Sequence, residues 1–355
     1  MRYALIGCSR ISVNHIKAAK DNGLEIVAIS DLYREKMSEL LERHNLNSDD
    51  VKQYDNYKIM LEEVKPDLVS IATGSGAHAK IALDCIERGV HTIIEKPMAM
   101  SISDADAIIS AAKKNNVKVT VCHQNRFNPS VQKVHQALEA GRFGKLSHGS
   151  IHVRWNRNKD YYDQASWRGT WAQDGGCLMN QCIHSIDILN WLMGGGLGID
   201  SVYGKICQRF HPYLETEDVG MALITFKNGA IATIEGTTNV YPKNLEETLY
   251  LFGETGTVKL GGKSMNTVEV WNFADETELS QSPHNIEQNI SGHYRLFYDI
   301  IQAINQDREP YINAQAGRDA LELVLAIYKS SAEDKLVKFP LKACSTVDFV
   351  GLFDD

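Results

Sequence analysis

The sequence contains no apolar run of about 18 residues or more, which excludes a membrane-spanning helix. Its N-terminus, MRYALIGCSRIS, lacks the apolar stretch of a secretory leader and enters a strand pattern at once. Positive charge is not in excess. Lys and Arg number 37 against 45 Asp and Glu, for a net charge of −8. That balance argues against a general nucleic-acid or membrane-surface binder, since both need a basic face. A small anionic ligand remains compatible, because a local cluster of Arg, Lys or backbone N–H suffices. The seven cysteines are odd in number and irregularly spaced, with no Cys-x₂-Cys pair, so reduced thiols in a cytoplasmic protein are expected. Proline is scarce, at 8 residues. With 355 residues, 43% of them hydrophobic and 23% charged, the composition is that of a soluble protein of about two domains.

The first third alternates short apolar runs with helix-like segments. Strands are expected at 3–6, 25–30, 68–72, 90–94 and 117–121, and helices at 10–21, 34–44, 57–64, 77–88 and 103–115. That alternation reads as right-handed βαβ units and a parallel sheet covered on both faces. A helix at 130–140 connects to a different pattern. Strands are expected at 146–154, 202–207, 219–226, 230–238, 247–251 and 256–260, with helices at 181–193, 293–305 and 316–332. Asn228-Gly229 is a hairpin signal. The expected fold is α/β. A doubly wound Rossmann domain over 1–125 precedes an α+β domain over 126–340 with a large, mostly antiparallel open-faced sheet. A tail follows over 341–355.

Between the first strand and first helix stands Gly7-Cys8-Ser9-Arg10-Ile11-Ser12, in the place of a Gly-x-Gly-x-x-Gly turn. The first glycine allows the tight turn, and the helix start offers N–H groups and a positive dipole end to a pyrophosphate. Asp31 closes the second strand, where a carboxylate accepts from ribose hydroxyls and repels a 2′-phosphate, favouring NAD over NADP. The strand at 90–94 runs into Glu95-Lys96-Pro97. Carboxyl ends of strands line the ligand crevice of a doubly wound sheet, which puts Lys96 beside the cofactor.

Further along lies Asp174-Gly175-Gly176, then Asn180, His184 and Asp187. At i and i+4, Asn180 and His184 share one face of an α-helix, and Asp187 is placed to orient the imidazole. A His is the usual group for taking a hydroxyl proton near neutral pH. No metal site is expected. Cys177, Cys182 and His184 cluster in sequence, but their spacing lacks a ligand-pair pattern.

Together these residues resemble the glucose-fructose oxidoreductase / inositol dehydrogenase family (Gfo/Idh/MocA), over nearly the whole chain. The resemblance implies hydride transfer between nicotinamide and a sugar or cyclitol carbon. It implies Lys96 and His184 as the catalytic pair and a cis bond at Lys96-Pro97. Cofactor contacts follow from Gly7, Ser9, Arg10, Ile11, Asp31, Thr73, His78, Glu95, Lys96 and Gln124. Many members carry Asp four residues before the His; Asn180 cannot hold charge there and can only orient substrate or Lys96. Ser9 in place of glycine is a second departure.

A narrower resemblance, to the WlbA-like branch, rests on His123-Gln124-Asn125-Arg126-Phe127, Tyr161-Tyr162, Trp167-Arg168-Gly169-Thr170-Trp171 and Asn180-Gln181. It also rests on the runs 241–246 and 253–258. It implies NAD-dependent oxidation at C3 of a UDP-N-acetylhexosamine or its uronic acid in surface-polysaccharide biosynthesis. Substrate contacts would come from Asn125, Arg126, Arg154, Tyr161, Trp167, Arg168, Asn180 and Asp187. Arg154, Arg157, Lys159 and Arg168 crowd one segment of an acidic chain, which suits a diphosphate or carboxylate. Tyr161, Tyr162 and Trp155 are placed to stack on a base or sugar. A homo-oligomer, dimer or tetramer, through the C-terminal sheet is expected. Two other readings stay open: a dehydrogenase of a free sugar or inositol, and a non-catalytic dinucleotide-binding sensor.

Overall fold

The structure is a computed structural model, described here for residues 1–194, 196–262, 264–275, 284–285 and 290–354. It divides into two compact units, Met1–Gln124 with Ile290–Arg318, and Asn125–Asn289 with Asp319–Asp355. The sequence placed everything from 126 to 340 in one domain. The structure instead returns 290–318 to the first unit.

In that unit a six-stranded parallel sheet runs in the order β3-β2-β1-β4-β5-β6. The strands are β1 (Arg2–Ile6), β2 (Glu25–Ser30), β3 (Lys52–Tyr54), β4 (Leu68–Ile71), β5 (His91–Ile94) and β6 (Val119–Val121). Tyr3, Leu5, Leu68 and Ile93 are fully buried, as a sheet covered on both faces requires. The covering helices are α1 (Ser12–Asp21), α2 (Arg34–Arg43), α3 (Tyr57–Val64), α4 (His78–Ile86) and α5 (Ile102–Asn115). Asn56 and Ser101 cap α3 and α5, each accepting from a backbone N–H of the first turn. The returning segment supplies a helix over Gly292–Asn305. Its Phe297 ring packs 5.8 Å from Tyr3 and 5.7 Å from His15. Burial of these apolar faces, invisible to local periodicity, is what ties 290–318 to the first unit.

The second unit begins with α6 (Pro129–Glu139) and carries a nine-stranded sheet. Its strands are β7 (Leu146–Arg154), β8 (Ile199–Cys207), β9 (Val219–Phe226), β10 (Ile231–Thr237), β11 (Glu246–Gly253), β12 (Gly256–Gly261), β13 (Thr267–Phe273), β14 (His284–Asn285) and β15 (Val337–Lys338). The order is β14-β13-β12-β11-β7-β10-β9-β8-β15. Pairing is antiparallel except β7 with β10, which is parallel. The Asn228-Gly229 hairpin joins β9 to β10 as expected. Between β7 and β8 lie α7 (Lys159–Tyr162) and α8 (Ile183–Met193). The long helix from Ala314 to Glu333, α10 after α9 at Gly292–Asn305, contains the boundary between the units. No helix among the described residues is long and apolar enough to cross a membrane.

One face of the second sheet is buried under α8 and its preceding turn. Gly220 and Gly236 make this approach possible: a Cβ at either would meet the Leu178 side chain at 2.7 or 2.5 Å. The other face leaves Tyr203, Met221, Leu223 and Ile231 exposed.

Candidate active site

The chain order of the first sheet reverses between β1 and β4, the position where open α/β sheets bind ligands at their carboxyl ends. Gly7 follows β1, Asp31 follows β2, Thr73 follows β4, Glu95 and Lys96 follow β5, and Gln124 follows β6. Topology therefore gathers these expected cofactor residues at one sheet edge. Gly7 has φ +95°, and a Cβ there would lie 2.6 Å from the Ala72 carbonyl carbon and oxygen. Only glycine fits this close passage. The Asp31 carboxylate accepts from Cys8 N–H at 2.7 Å and Tyr33 N–H at 2.9 Å, bracing the turn from the second strand. Ser9 donates to Ala72 O at 3.2 Å, so the hydroxyl that replaces glycine is turned to the neighbouring strand. Ser9 and Arg10 are exposed, Ile11 is half-buried, and no side chain caps α1. Gln124 Oε1 is buried with no hydrogen-bond partner among the described residues. An uncapped helix start after a glycine turn, a strand-end carboxylate and an orphaned amide oxygen fit a dinucleotide.

The Lys96–Pro97 bond is cis. Buried His78 lies between Pro97 O, 2.7 Å from Nδ1, and Thr73 O, 3.2 Å from Nε2, and burial lowers its basicity. Glu95 is buried as well. Burial pushes its carboxyl up, but hydrogen bonds from His15 at 2.9 Å and His293 at 3.5 Å outweigh this and hold it well below its ordinary value. His15, Glu95, Cys122 and His293 place four potential metal ligands within 4.8 Å of one another. With both imidazoles directed at Glu95, the cluster is accounted for as a buried carboxylate with its donors. Glu95 also accepts from Lys96 N–H at 3.2 Å, fixing the backbone that carries the lysine.

In the second unit the helix before His184 is not a regular α-helix. Residues Leu178–Cys182 form a π turn, and α8 continues from Ile183. Asn180 therefore sits inside the π turn and His184 in the first turn of α8. Half-buried Asn180 donates to Asp174 Oδ1 and accepts from Gln181 Nε2 at 2.7 Å. Gln181 also donates to Tyr161 Oη at 2.8 Å and accepts from Arg157 Nε at 2.8 Å. Arg168 donates to the same phenol at 2.5 Å. Its guanidinium lies 4.3 Å from the Tyr161 centroid and 4.8 Å from that of Trp167. Arg157 lies 5.1 Å from Tyr161 and 4.9 Å from Trp155. Neither guanidinium makes an ion pair among the described residues, and Arg168 Nε is buried without a partner.

Other expected substrate contacts are differently engaged. Arg126 and Asp187 pair with each other, Nε to Oδ2 at 2.7 Å and Nη2 to Oδ1 at 2.6 Å, both side chains buried. Arg154 on β7 is held by its cross-strand neighbours Glu235 and Glu246, each at 2.5 Å. Lys159 pairs with Asp163 on exposed helix surface. The basic cluster read from the sequence thus reduces to Arg157 and Arg168. Asn125 is half-buried at the start of the unit. Sequence reasoning passed over Glu217 and Tyr328, which hold the start of the π turn; Glu217 was visible only as one acid in an acidic run before β9.

The parallel sheet with its glycine turn after β1 is the arrangement of a dinucleotide-binding domain, and the family to which it belongs is one of NAD-dependent oxidoreductases. Residues 1–123 match the model of the oxidoreductase family with NAD-binding Rossmann fold, and 131–259 match the GFO/IDH/MocA C-terminal domain. The chain belongs to the Gfo/Idh/MocA family. It is 33% identical to the WlbA dehydrogenase of Bordetella pertussis, solved with NADH and UDP-GlcNAcA, at a TM-score of 0.86 over 96% of this chain and 99% of that one. Against the Chromobacterium violaceum WlbA dehydrogenase, solved with the same two ligands, identity is 32% and TM-score 0.85, over 96% of each chain. Myo-inositol 2-dehydrogenase of Thermotoga maritima is 23% identical, over 95% of this chain and 98% of its own.

Proposed function

We propose that this enzyme oxidises a UDP-linked sugar, at C3 of a 2-acetamido hexose or its uronic acid, in the biosynthesis of surface polysaccharide. The supporting observation is the bonded array Asp174–Asn180–Gln181–Tyr161 with Arg157 and Arg168 stacked beside it. Two guanidiniums without carboxylate partners, framed by aromatic rings, suit an anion attached to a planar or sugar ring. A neutral sugar has no use for them. Similarity to two WlbA dehydrogenases solved with UDP-GlcNAcA supports the same substrate class.

Gly7, the start of α1 and Asp31 would hold the pyrophosphate and adenosine ribose of NAD, with Thr73, Glu95 and Gln124 at the neighbouring strand ends, and the bound nicotinamide would supply the hydride acceptor for the carbinol carbon. His184 takes the hydroxyl proton as the C–H bond breaks. Lys96 stabilises the developing alkoxide with its charge. Asn180, fixed at both ends of its amide, orients the substrate rather than relaying a proton. The seven unpaired cysteines suit a cytoplasmic setting. The exposed Tyr203, Met221, Leu223 and Ile231 on the outer sheet face suit burial against a second copy of the chain.

Similarity to myo-inositol 2-dehydrogenase favours a second reading, oxidation of a free polyol. Calorimetry on the NADH-loaded protein separates the two. UDP-N-acetylglucosamine, its uronic acid and UDP alone should bind, and myo-inositol should not. Binding of inositol with no heat from any uridine nucleotide would replace the first reading by the second.

A further inference from the structure

Glu217, directly before Asp218 and β9, is fully buried in the second unit. It makes no ion pair among the described residues. Its backbone oxygen accepts from Cys177 N–H at 3.3 Å, and its Oε1 from Leu178 N–H at 2.7 Å. Tyr328 on α10 completes the clamp, accepting from Met179 N–H at 3.2 Å and lying 2.7 Å from Gly175 O and 2.8 Å from Glu217 Oε1. The first N–H groups of a helix have no partners within the helix. Here two residues from distant segments supply them, at the point where the π turn begins. The contact also accounts for Gly176: at φ +97° it lies against the Glu217 carboxyl, which any Cβ would overlap.

Hydrogen counting decides the charge of this clamp. A phenol has one proton. Gly175 O can only accept, so it takes the Tyr328 proton. The 2.8 Å contact to Glu217 then needs a proton from the carboxyl side. Glu217 Oε2 is buried with no partner, which is costly for a carboxylate and tolerable for a neutral carbonyl. Among the described residues the titratable groups around it are Tyr328, Asp174, Cys177 and Asp218, none of them a cation; the Asp218 carboxylate is occupied by the backbone N–H groups of Arg209, Phe210 and His211, the Asn239 amide and the His211 imidazole. The helix start itself favours an anion and opposes this arrangement. We infer that Glu217 is a proton-bearing carboxylic acid that clamps the π turn as a positioning residue, and that its ionisation loosens the turn carrying Asn180 and leading to His184. Burial, pushing this carboxyl up to about 8, agrees with that state at neutral pH.

The effect on turnover rests on the proposed dehydrogenase chemistry; the protonation state does not, and it is measured separately. The infrared difference between the protein and Glu217→Gln should contain the carbonyl stretch of a protonated acid at neutral pH. That band should vanish as pH rises through about 8. Glu247, buried elsewhere and pushed up to about 7, is subtracted with Glu247→Gln. With substrate and NAD saturating, kcat should fall tenfold or more on the alkaline side in the native protein, and that limb should disappear in Glu217→Gln. Tyr328→Phe supplies a sign that needs no Glu217 variant. Removing the acceptor of the carboxyl proton should move the infrared transition to lower pH, whereas removing a donor to a carboxylate would move it higher. No protonated band, an upward shift in Tyr328→Phe, or an alkaline limb unchanged in Glu217→Gln would overturn the inference. A titrating band in a protein that turns over no sugar would leave Glu217 protonated and refute the dehydrogenase reading instead.

Discussion

Replacing Asp187 with leucine should destabilise the second unit by about 3–5 kcal/mol, the typical cost of stranding one partner of a buried ion pair. The magnitude follows from the geometry. Arg126 donates twice to Asp187, at 2.7 and 2.6 Å, with the two side chains only 8% and 2% exposed. The guanidinium left behind keeps only the Trp191 ring, 4.9 Å away, as an electrostatic partner among those described for it. A cation over an aromatic face is worth about 0.5–2 kcal/mol, too little to offset its desolvation. Arg126→Met should also be destabilising, because it takes the guanidinium away from a buried carboxylate. The double variant Arg126→Met/Asp187→Leu should recover most of the loss, because neither charge then remains buried. Urea unfolding followed by tryptophan fluorescence measures this, fitted for more than one transition because the chain has two units. Binding of NAD should be unaffected. Single variants that each cost under about 1 kcal/mol, or a double variant whose loss equals their sum, would refute the pairing argument.

Asp31→Ala should weaken NAD binding and relax discrimination against NADP; equal or tighter NADP binding by the native protein would contradict this role. His184→Ala should lower kcat by roughly 10²–10⁴ with cofactor affinity unchanged, the usual loss when a general base is removed. Near-normal turnover would exclude it as the base, and the pH profiles of the His184 and Lys96 variants then decide between the two. Arg168→Lys should lower kcat/KM for a uridine diphosphate sugar about tenfold or more, since Lys loses the bidentate fork, and should leave NAD affinity unchanged. Glu247, buried and hydrogen-bonded to Ser185, is pushed up to about 7 from 4.5, so the folded protein holds its proton more tightly than the unfolded chain. Its stabilising share is complete below about pH 4.5 and is lost as pH rises through about 7. Glu247→Gln should therefore raise Tm at pH 9 relative to the native protein more than at pH 5, and a parallel pH dependence of the two would count against it.

Features that depend on local chain chemistry were legible in the sequence. Glu25–Ser30, Tyr57–Val64, Leu146–Arg154 and Val219–Phe226 coincide with their expected bounds. Gly7, Asp31 and Lys96 follow strands of the parallel sheet, as periodicity predicts, because periodicity locates strand ends. What escaped depends on partners distant in the chain. Arg154 was expected to meet substrate, and the ion pairs it makes with Glu235 and Glu246 come from sheet register. Arg126 and Asp187, 61 residues apart and each expected to meet substrate, pair with each other. The return of 290–318 to the first unit depends on Phe297 meeting Tyr3 and His15. The π turn over Leu178–Cys182 escaped because a 3.6-residue period assumes a regular helix.

The central claim is tested most directly by following nicotinamide absorbance while the purified protein and NAD are offered UDP-N-acetylglucosamine, its uronic acid, myo-inositol and glucose, each with and without an oxo-acid acceptor. NADH should appear with a uridine diphosphate sugar and not with the free sugar or cyclitol. Efficient reduction of NAD by inositol or glucose, with none by any uridine diphosphate sugar, would contradict the account.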